Sequence, residues 1–410
     1  MPGARVSKGL AAATATVAVV VPLLVAGGPA SSSAAGAQSA ARVRHAAPAF
    51  KHPGVLVSGR QLNFVRGRVN KGAQPWKNAY RAMRESRYAS LAYHPAPSAV
   101  VHCPFGEAPG HGCVEERQDA LAAYTDALVW SISRDRAYAR KAVSIMDAWS
   151  DVLKNHTSDN ASLQAAWAGS TWARAAEIMR YTYKGWSPSH VRRFSTMLRR
   201  GYLPVVRKGN PKYNGNWELA MTDATMGIAV FLNDRSAFNK AVSTFRARVP
   251  AYFYLKKDGS RPKTRKGSGV TTRDQMTTYW FGQRTFANGL AQETCRNFTH
   301  VGYSLAATSH IAETAWHQGV DLYSGVKERL RQALGFHAHY ELGAPAPQWL
   351  CGGKPELGLG PDTEVLYHHL HKRLGLTLPD AKRLTMRQRP AGTDNLFVAW
   401  ETLTHAGNRY

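Results

Sequence analysis

The sequence predicts an all-α protein, an α/α toroid (an incomplete α/α barrel) built from helical hairpins. Three observations point there. Apolar residues recur at helical spacing, about 3.6 residues per turn, in one segment after another. No convincing alternating strand series runs through the first 340 residues. The helical segments also come in pairs joined by short and medium loops, without the fixed period of an open solenoid. An up-down bundle of this many helices would struggle to bury every apolar face around one core, whereas a ring of stacked hairpins leaves a cleft along its inward faces.

The elements follow in order. Residues 1–37 read as an export signal: Arg5 and Lys8 supply a basic start, an apolar run follows, and Ala35-Gly36-Ala37 offers a small-residue cleavage site. No later segment has the ~18 uninterrupted apolar residues of a spanning helix, so a secreted, membrane-free protein is expected. Residues 38–55 are rich in Ala, Ser and Pro and are expected to form a disordered linker, leaving 56–410 as a single toroid domain. Helical periodicity marks 115–133, 136–153 and 161–183, and Ser187-Pro188 carries a helix-start signal. Segments 216–232 and 234–253 form an antiparallel pair across an Asn-Asp turn. Further helices are expected at 273–289, 295–318 and 325–340, with weaker ones at 362–374 and 379–388. Between them, "KKDGSRPKTRKGSG" (256–269) carries six Lys or Arg and reads as a mobile basic loop, either a clamp over a polyanion or a plain solvated loop.

The chain has four cysteines, an even number that suits two disulfides in an exported protein. Of the three possible pairings, Cys103–Cys113 and Cys295–Cys351 are favoured. The formal net charge is +26, and only Arg5 and Lys8 of the excess fall in the signal. Such an imbalance costs self-repulsion and suits a polyanionic partner. For an exported protein that partner is an acidic polysaccharide rather than nucleic acid, and the chain is expected to act on it as a monomer.

Two stretches could carry chemistry. In "CRNFTHVGYSLAATSH" (295–310), Arg296, His300 and Tyr303 stand at i, i+4 and i+7 and are expected on one face of a helix, within roughly 60° of one another. In "YNGNWELAMTD" (213–223), Asn214 and Asn216 precede or open a helix, where a carboxamide can meet an anion, and Trp217 offers a flat face for a sugar ring. These groups suit β-elimination from a uronic-acid polymer. The reaction removes the C5 proton and expels the 4-linked oxygen. Amide, imidazole or guanidinium donors offset the neighbouring carboxylate, a base takes the proton, and an acid protonates the leaving oxygen. A phenol among cations is expected to have a lowered pKa and can serve as acid, and also as base when both events occur on one face of the sugar. On opposite faces a histidine must take one role. The scheme needs no metal and no cofactor.

The chain resembles the alginate-lyase-type polysaccharide lyases of the helical toroid class. The resemblance rests on "LQAAWAGSTWARAAEIMRYTYKGW" (163–186), "NGNWELAMTDATMGIAVF" (214–231) and "GLAQETCRNFTHVGYSLAATSHIAETAWHQGVDLY" (289–323), and covers roughly residues 60–345. It implies Arg296 for charge stabilisation, Tyr303 as catalytic acid and, as an alternative, also as base, and Asn214 or Asn216 for carboxylate neutralisation. Better-known members carry a His directly after the Asn pair. Here Gly215, Asn216 and Trp217 fill that stretch, so His300 joins Asn214 and Asn216 as a candidate neutraliser. Alginate is the substrate the resemblance implies, with glucuronan next.

Position adds Gln164 and Trp167 as possible cleft residues, Arg273 and Tyr279 as sugar contacts with Tyr279 a reserve phenol, and Gln292 and Glu293 just before the helix, with Glu293 placed to orient Arg296 or His300. The run "YHHLHK" (367–372) reads as a polar helix face rather than a metal site. Two rival functions remain. An α/α-barrel glycoside hydrolase would need paired carboxylates, with Glu116, Asp119, Glu218 and Asp223 available. A non-catalytic polysaccharide binder would need only the basic surface.

Overall fold

The computed structural model describes residues 48–105 and 110–410, of which Ala49–Tyr410 form one compact unit. The expected export signal and most of the expected linker lie outside the described residues. The linker expectation fails for its last residues: the Gly54 N–H donates to Glu177 Oε2 at 2.9 Å, and Val55 is buried. This strap continues the domain because Val55, Leu56 and Val57 are apolar enough to pay for their own ordering.

Helices begin where the sequence supplies caps. α1 (Gly59–Asn70) opens on Ser58, whose hydroxyl accepts from the Gln61 N–H while the Gln61 side chain reaches back. α2 (Trp76–Glu85) packs on it, and strand β1 (Val100–His102) leads to the hairpin of α3 (Cys113–Ser133) and α4 (Arg136–Val152). Strand β2 (Asn155–Thr157) pairs with β1 in parallel, and the two are the only strands among the described residues. α5 (Ala161–Thr182) is followed by α6 (Pro188–Met197), which Ser187 caps by accepting from the His190 N–H, and by α7 (Leu203–Val206). α8 (Gly215–Phe231) and α9 (Arg235–Tyr252) form the expected pair, with Asp234 accepting from the Ala237 N–H. After the short α10 (Arg273–Tyr279) come α11 (Phe298–His317), α12 (Lys327–Glu341), α13 (Glu364–His368), α14 (Pro379–Gln388) and α15 (Glu401–His405).

Two expected helices differ. The segment from 273 stops at Tyr279, because Phe281 and Gly282 take positive φ values of 53° and 81° that no right-handed helix accommodates. The helix expected from 295 begins at Phe298, with Asn297 extended and its side chain accepting from the His300 N–H.

The helices make a ring. α3, α5, α8 and α11 pack side by side in that order; the circuit continues through α13 and α15 to α1, which returns to α3. α4, α9 and α12 back their partners from outside, and the full hairpins give way to short helices at the α13–α15 end. Layer position explains composition. Every residue of α8 from Gly215 to Phe231 is buried, so it is mostly apolar or small on all sides and its acids Glu218 and Asp223 are paired with arginines, whereas α4 buries only a stripe. The ring has no open hole. Its centre holds Arg174 of α5, which donates to Asp223 of α8 at 2.6 Å and to His310 of α11 at 2.8 Å, while His310 meets Glu401 of α15 at 2.5 Å. Such a buried polar set is tolerable because its members largely pair with one another, Glu401 Oε2 alone being left without a hydrogen bond among these groups. Both favoured disulfides, Cys103–Cys113 and Cys295–Cys351, are formed.

Candidate active site

Interlocking residues at the starts of α3, α5, α8 and α11 gather these N-terminal ends at one end of the ring. The positive ends of four helix dipoles therefore face the same space, a favourable setting for an anion. Arg117 of α3 donates to Gln164 of α5 at 2.5 Å and lies over the Trp167 ring at 5.7 Å. On the opposite side, the turn before α11 locks onto α8. Gln292 accepts from the Gly215 N–H at 2.9 Å and donates to Asn214 Oδ1 at 3.2 Å. Glu293 accepts from the Asn216 N–H at 3.2 Å, from the Tyr252 hydroxyl at 3.0 Å and from Arg296 at 2.8 Å.

This clamp needs a glycine at 215. A Cβ there would overlap the Tyr252 ring, which Glu293 holds in place. Gly215→Ala is therefore expected to destabilise the protein by about 1–3 kcal/mol through overpacking and to reduce activity by loosening the Glu293–Arg296 pair. Thermal unfolding beside an activity assay checks both; an unchanged melting temperature would show that Tyr252 yields freely.

Arg296 lies outside α11, contrary to the expected one-face alignment. It belongs to the turn, one residue before the capping Asn297, and reaches the site by pairing with Glu293. His300 and Tyr303 do share the first turns of α11, their ring centroids 5.8 Å apart. Asn297 Oδ1 accepts both the His300 backbone N–H, at 3.1 Å, and His300 Nδ1, at 2.6 Å. An oxygen that accepts twice fixes the tautomer: Nδ1 carries the proton and Nε2 keeps its lone pair. Burial, with Arg296 adding to it, lowers the His300 pKa to about 4, so the ring is neutral at pH 7.

The Tyr303 phenol behaves opposite to the sequence expectation. Burial raises its pKa above the usual value, Asp394 and Asp362 raise it further, and Arg117 only partly opposes them. It stays protonated at neutral pH. The two acids behind it were not foreseen. Asp394 Oδ1 accepts the N–H groups of Leu396, Phe397 and Val398 at 2.8–2.9 Å, and the Phe397 ring packs against Tyr303 at 6.2 Å. Burial lifts Asp394 to about 6 and holds Asp362 well above the carboxylate range.

Several sequence candidates sit behind the surface rather than on it. Gln164 is fully buried and bridges Arg117, Glu116 and the Cys113 carbonyl. Gln292 and Glu293 are fully buried within the clamp. Trp217 is only 6% exposed, because Tyr213 (48%) and Phe105 (50%) cover it at 4.8 and 5.8 Å and present the exposed aromatic faces instead. The Tyr279 hydroxyl already donates to the Tyr213 carbonyl at 2.9 Å and accepts from Arg248 at 3.2 Å. Arg273 lies at the far end of α10, in a separate cavity. Asn214 and Asn216 do stand at the α8 N-terminus, and Asn216 Oδ1 is buried without a hydrogen-bond partner. Half-buried Arg117 and the exposed Tyr213 and Phe105 are site residues the sequence reading missed; Tyr213 directly precedes Asn214, which was signal enough to include it.

The four acids open to a hydrolase are all consumed. Glu116 accepts from Tyr202 and Gln164 and meets His156; Asp119 accepts from Tyr93 and Trp149; Glu218 pairs with Arg248 and Arg265; Asp223 pairs with Arg174. The basic loop is likewise anchored, through Arg265–Glu218 at 2.9 Å and Lys263–Asp258 at 3.3 Å. Among the described residues no group of His, Cys, Asp and Glu is arranged to hold a metal, and no helix is long and apolar enough to cross a membrane.

The profile of the alginate lyase family matches residues 110–348, a stretch that contains all four inner helix starts. The chain belongs to the alginate lyase family. It is accordingly a polysaccharide lyase. Its fold is similar to alginate lyase A1-III of Sphingomonas species A1, with a TM-score of 0.56 at 14% identity over 87% of this chain and 97% of that one. A variant of the same enzyme complexed with a tetrasaccharide gives 0.58 at 14% identity, over 87% and 96% of the two chains. An alginate lyase from Bacteroides ovatus gives 0.56 at 13% identity, over 87% and 100%. No curated protein sequence matches the chain. As in these alginate lyases, the α/α toroid is the scaffold.

Proposed function

We propose that the protein cleaves a 4-linked polyuronate, alginate first and glucuronan next, by β-elimination to an unsaturated uronate end, and that it does so outside the cytoplasm. The observation that carries the reading is the pairing of a neutral imidazole, its Nε2 lone pair free, with a protonated phenol, between the guanidinium groups of Arg117 and Arg296. The uronate carboxylate sits between Arg296 and the Asn216 carboxamide, which offset its charge and stabilise the developing enolate. His300 Nε2 takes the C5 proton. The C5–H electrons form the C4–C5 double bond, the C4–O bond breaks, and the Tyr303 hydroxyl delivers a proton to the departing oxygen. The raised phenol pKa favours this division of roles over a single tyrosine doing both. Exposed Tyr213 and Phe105 give sugar rings an apolar face, and two disulfides suit an oxidising compartment.

The test is new ultraviolet absorbance from the conjugated product on alginate, its mannuronate and guluronate blocks, glucuronan and hyaluronan. Absorbance on one of the first four supports the reading; none on any polymer ends it. The pH profile is a second expectation. His300 is an active base above its depressed pKa and is lost below it, so the acid limb of kcat/KM should fall near pH 4 rather than 6.5. No alkaline limb from the phenol should appear below pH 10, because Tyr303 is raised, not lowered. An acid limb at the ordinary histidine value would remove His300 from the base role.

A further inference from the structure

Beside the residues of this centre, a cavity of about 230 Å³ opens between Ser260, Arg261, Arg273, Thr277, Arg284 and Phe286. Its three arginines come from three separate stretches: the basic loop, the first turn of α10 and the segment after it. Among the described residues none of the three guanidinium groups has a carboxylate partner, whereas neighbouring cations do: Lys263 and Arg329 on Asp258, Arg265 on Glu218. Three like charges around one small cavity repel one another, and an anion between them relieves that repulsion.

The cavity is held in shape. The Tyr254 hydroxyl donates to the Gly259 carbonyl at 2.6 Å, fixing the turn that presents Ser260 and Arg261. Thr272 caps the helix that begins with Arg273. Gln283, next to Arg284, donates to the Trp349 carbonyl at 3.0 Å and accepts from the Cys351 N–H at 3.3 Å, beside the Cys295–Cys351 disulfide. Phe286 packs against Trp280 at 5.3 Å and Tyr254 at 5.5 Å. Planar guanidinium forks match carboxylates, the hydroxyls of Ser260 and Thr277 match sugar hydroxyls, and Phe286 and Met276 supply an apolar wall. A bare inorganic anion would leave the wall unused. The cavity is also near the centre: α10 carries Arg273 at its start and Tyr279 at its end, about 9 Å along the axis, and the Tyr279 carbonyl accepts from Gln292.

We propose that this cavity is a second carboxylate-binding site, which holds a stretch of the acidic polysaccharide outside the point of scission. It rests on the polyuronate reading above. The experiment uses the full chain with Tyr303→Phe as the non-cleaving background, and calorimetric titration with alginate polymer and with alginate tetrasaccharide at a series of salt concentrations. Adding Arg261→Gln, Arg273→Gln and Arg284→Gln together is expected to weaken polymer binding at least about tenfold and to lower the salt slope by about two to three, one unit per lost ionic contact. The loss should be larger for polymer than for tetrasaccharide. Equal losses on both ligands, or none, would overturn the proposal. Exposed arginines without partners carry little of the fold, and an unchanged melting temperature confirms that the triple variant is native. If the unaltered chain forms no unsaturated product from any polyuronate, the reading of the centre fails. If product forms and the triple variant binds polymer normally, only the second site fails.

Discussion

Replacing Tyr303 by Phe is expected to lower kcat about a thousandfold while polymer affinity stays within about threefold. The magnitude follows from the role. A positioned general acid contributes roughly 10²–10⁴ in rate, and without the hydroxyl the leaving oxygen must depart as an alkoxide or wait for water. The variant is also unusually clean. The Tyr303 hydroxyl makes no hydrogen bond within the described residues, and its ring contacts with His300 and Phe397 survive in Phe. Stability should therefore change little, and a loss of turnover cannot be blamed on unfolding. The measurement is product absorbance beside calorimetric binding of the same polymer. Full activity in Tyr303→Phe would mean that another group protonates the leaving oxygen, and the assignment would fall.

The second large effect is expected from Arg296→Gln, a fall in kcat/KM of about 10²–10³, the range seen when a preorganised donor to a developing charge is lost. Its distinguishing mark is in the pH profile. Burial is the main reason the His300 pKa is low, and the Arg296 charge adds to it. Removing that charge moves the His300 pKa upward, toward but not reaching its ordinary value, so the acid limb of kcat/KM should shift to higher pH. Arg296→Lys keeps the charge without the fork and should restore most of the limb's position but less of the rate. Glu293→Gln separates the causes further, because it keeps an acceptor for the Asn216 N–H while releasing the guanidinium. A slow Arg296→Gln with an unmoved acid limb would mean that Arg296 acts only by binding.

The hairpins were legible because helical periodicity and capping are local. Ser187-Pro188, the Asn233-Asp234 turn and the apolar run through α8 each announce themselves within a few residues. Arg296, His300 and Tyr303 stood out for a related reason: polar groups at regular spacing in an apolar segment invite explanation. The same rule misled for Gln164, whereas Glu293 does orient Arg296. In a ring, a polar residue on an inner helix can face the open end or lie buried between helices, and spacing along one helix does not distinguish the two. Gln164 is spent on Arg117, and Gln292 and Glu293 on the start of α8. Arg117 itself, in "EERQDAL", looks like any solvated helix position until α5 and α11 are brought beside it. Asp362 and Asp394 reverse the expected direction of the Tyr303 pKa from 59 and 91 positions away in sequence, a distance over which no motif reads.

The closing of the ring by α15 and α1 has a consequence for how the molecule holds together. Trp400 donates to Thr125 across 275 residues, and Tyr88 to Asn395 across 307, so late segments are stitched to early ones. An open stack of repeats can fray from its ends while its middle survives. Here, no block of hairpins has a finished boundary until the final residues dock, and Arg174 and His310 would lose Glu401 and the Phe397 carbonyl if they did not. Melting should thus be a single cooperative event, and the site at the inner helix starts is as durable as the whole circle rather than as its nearest helix.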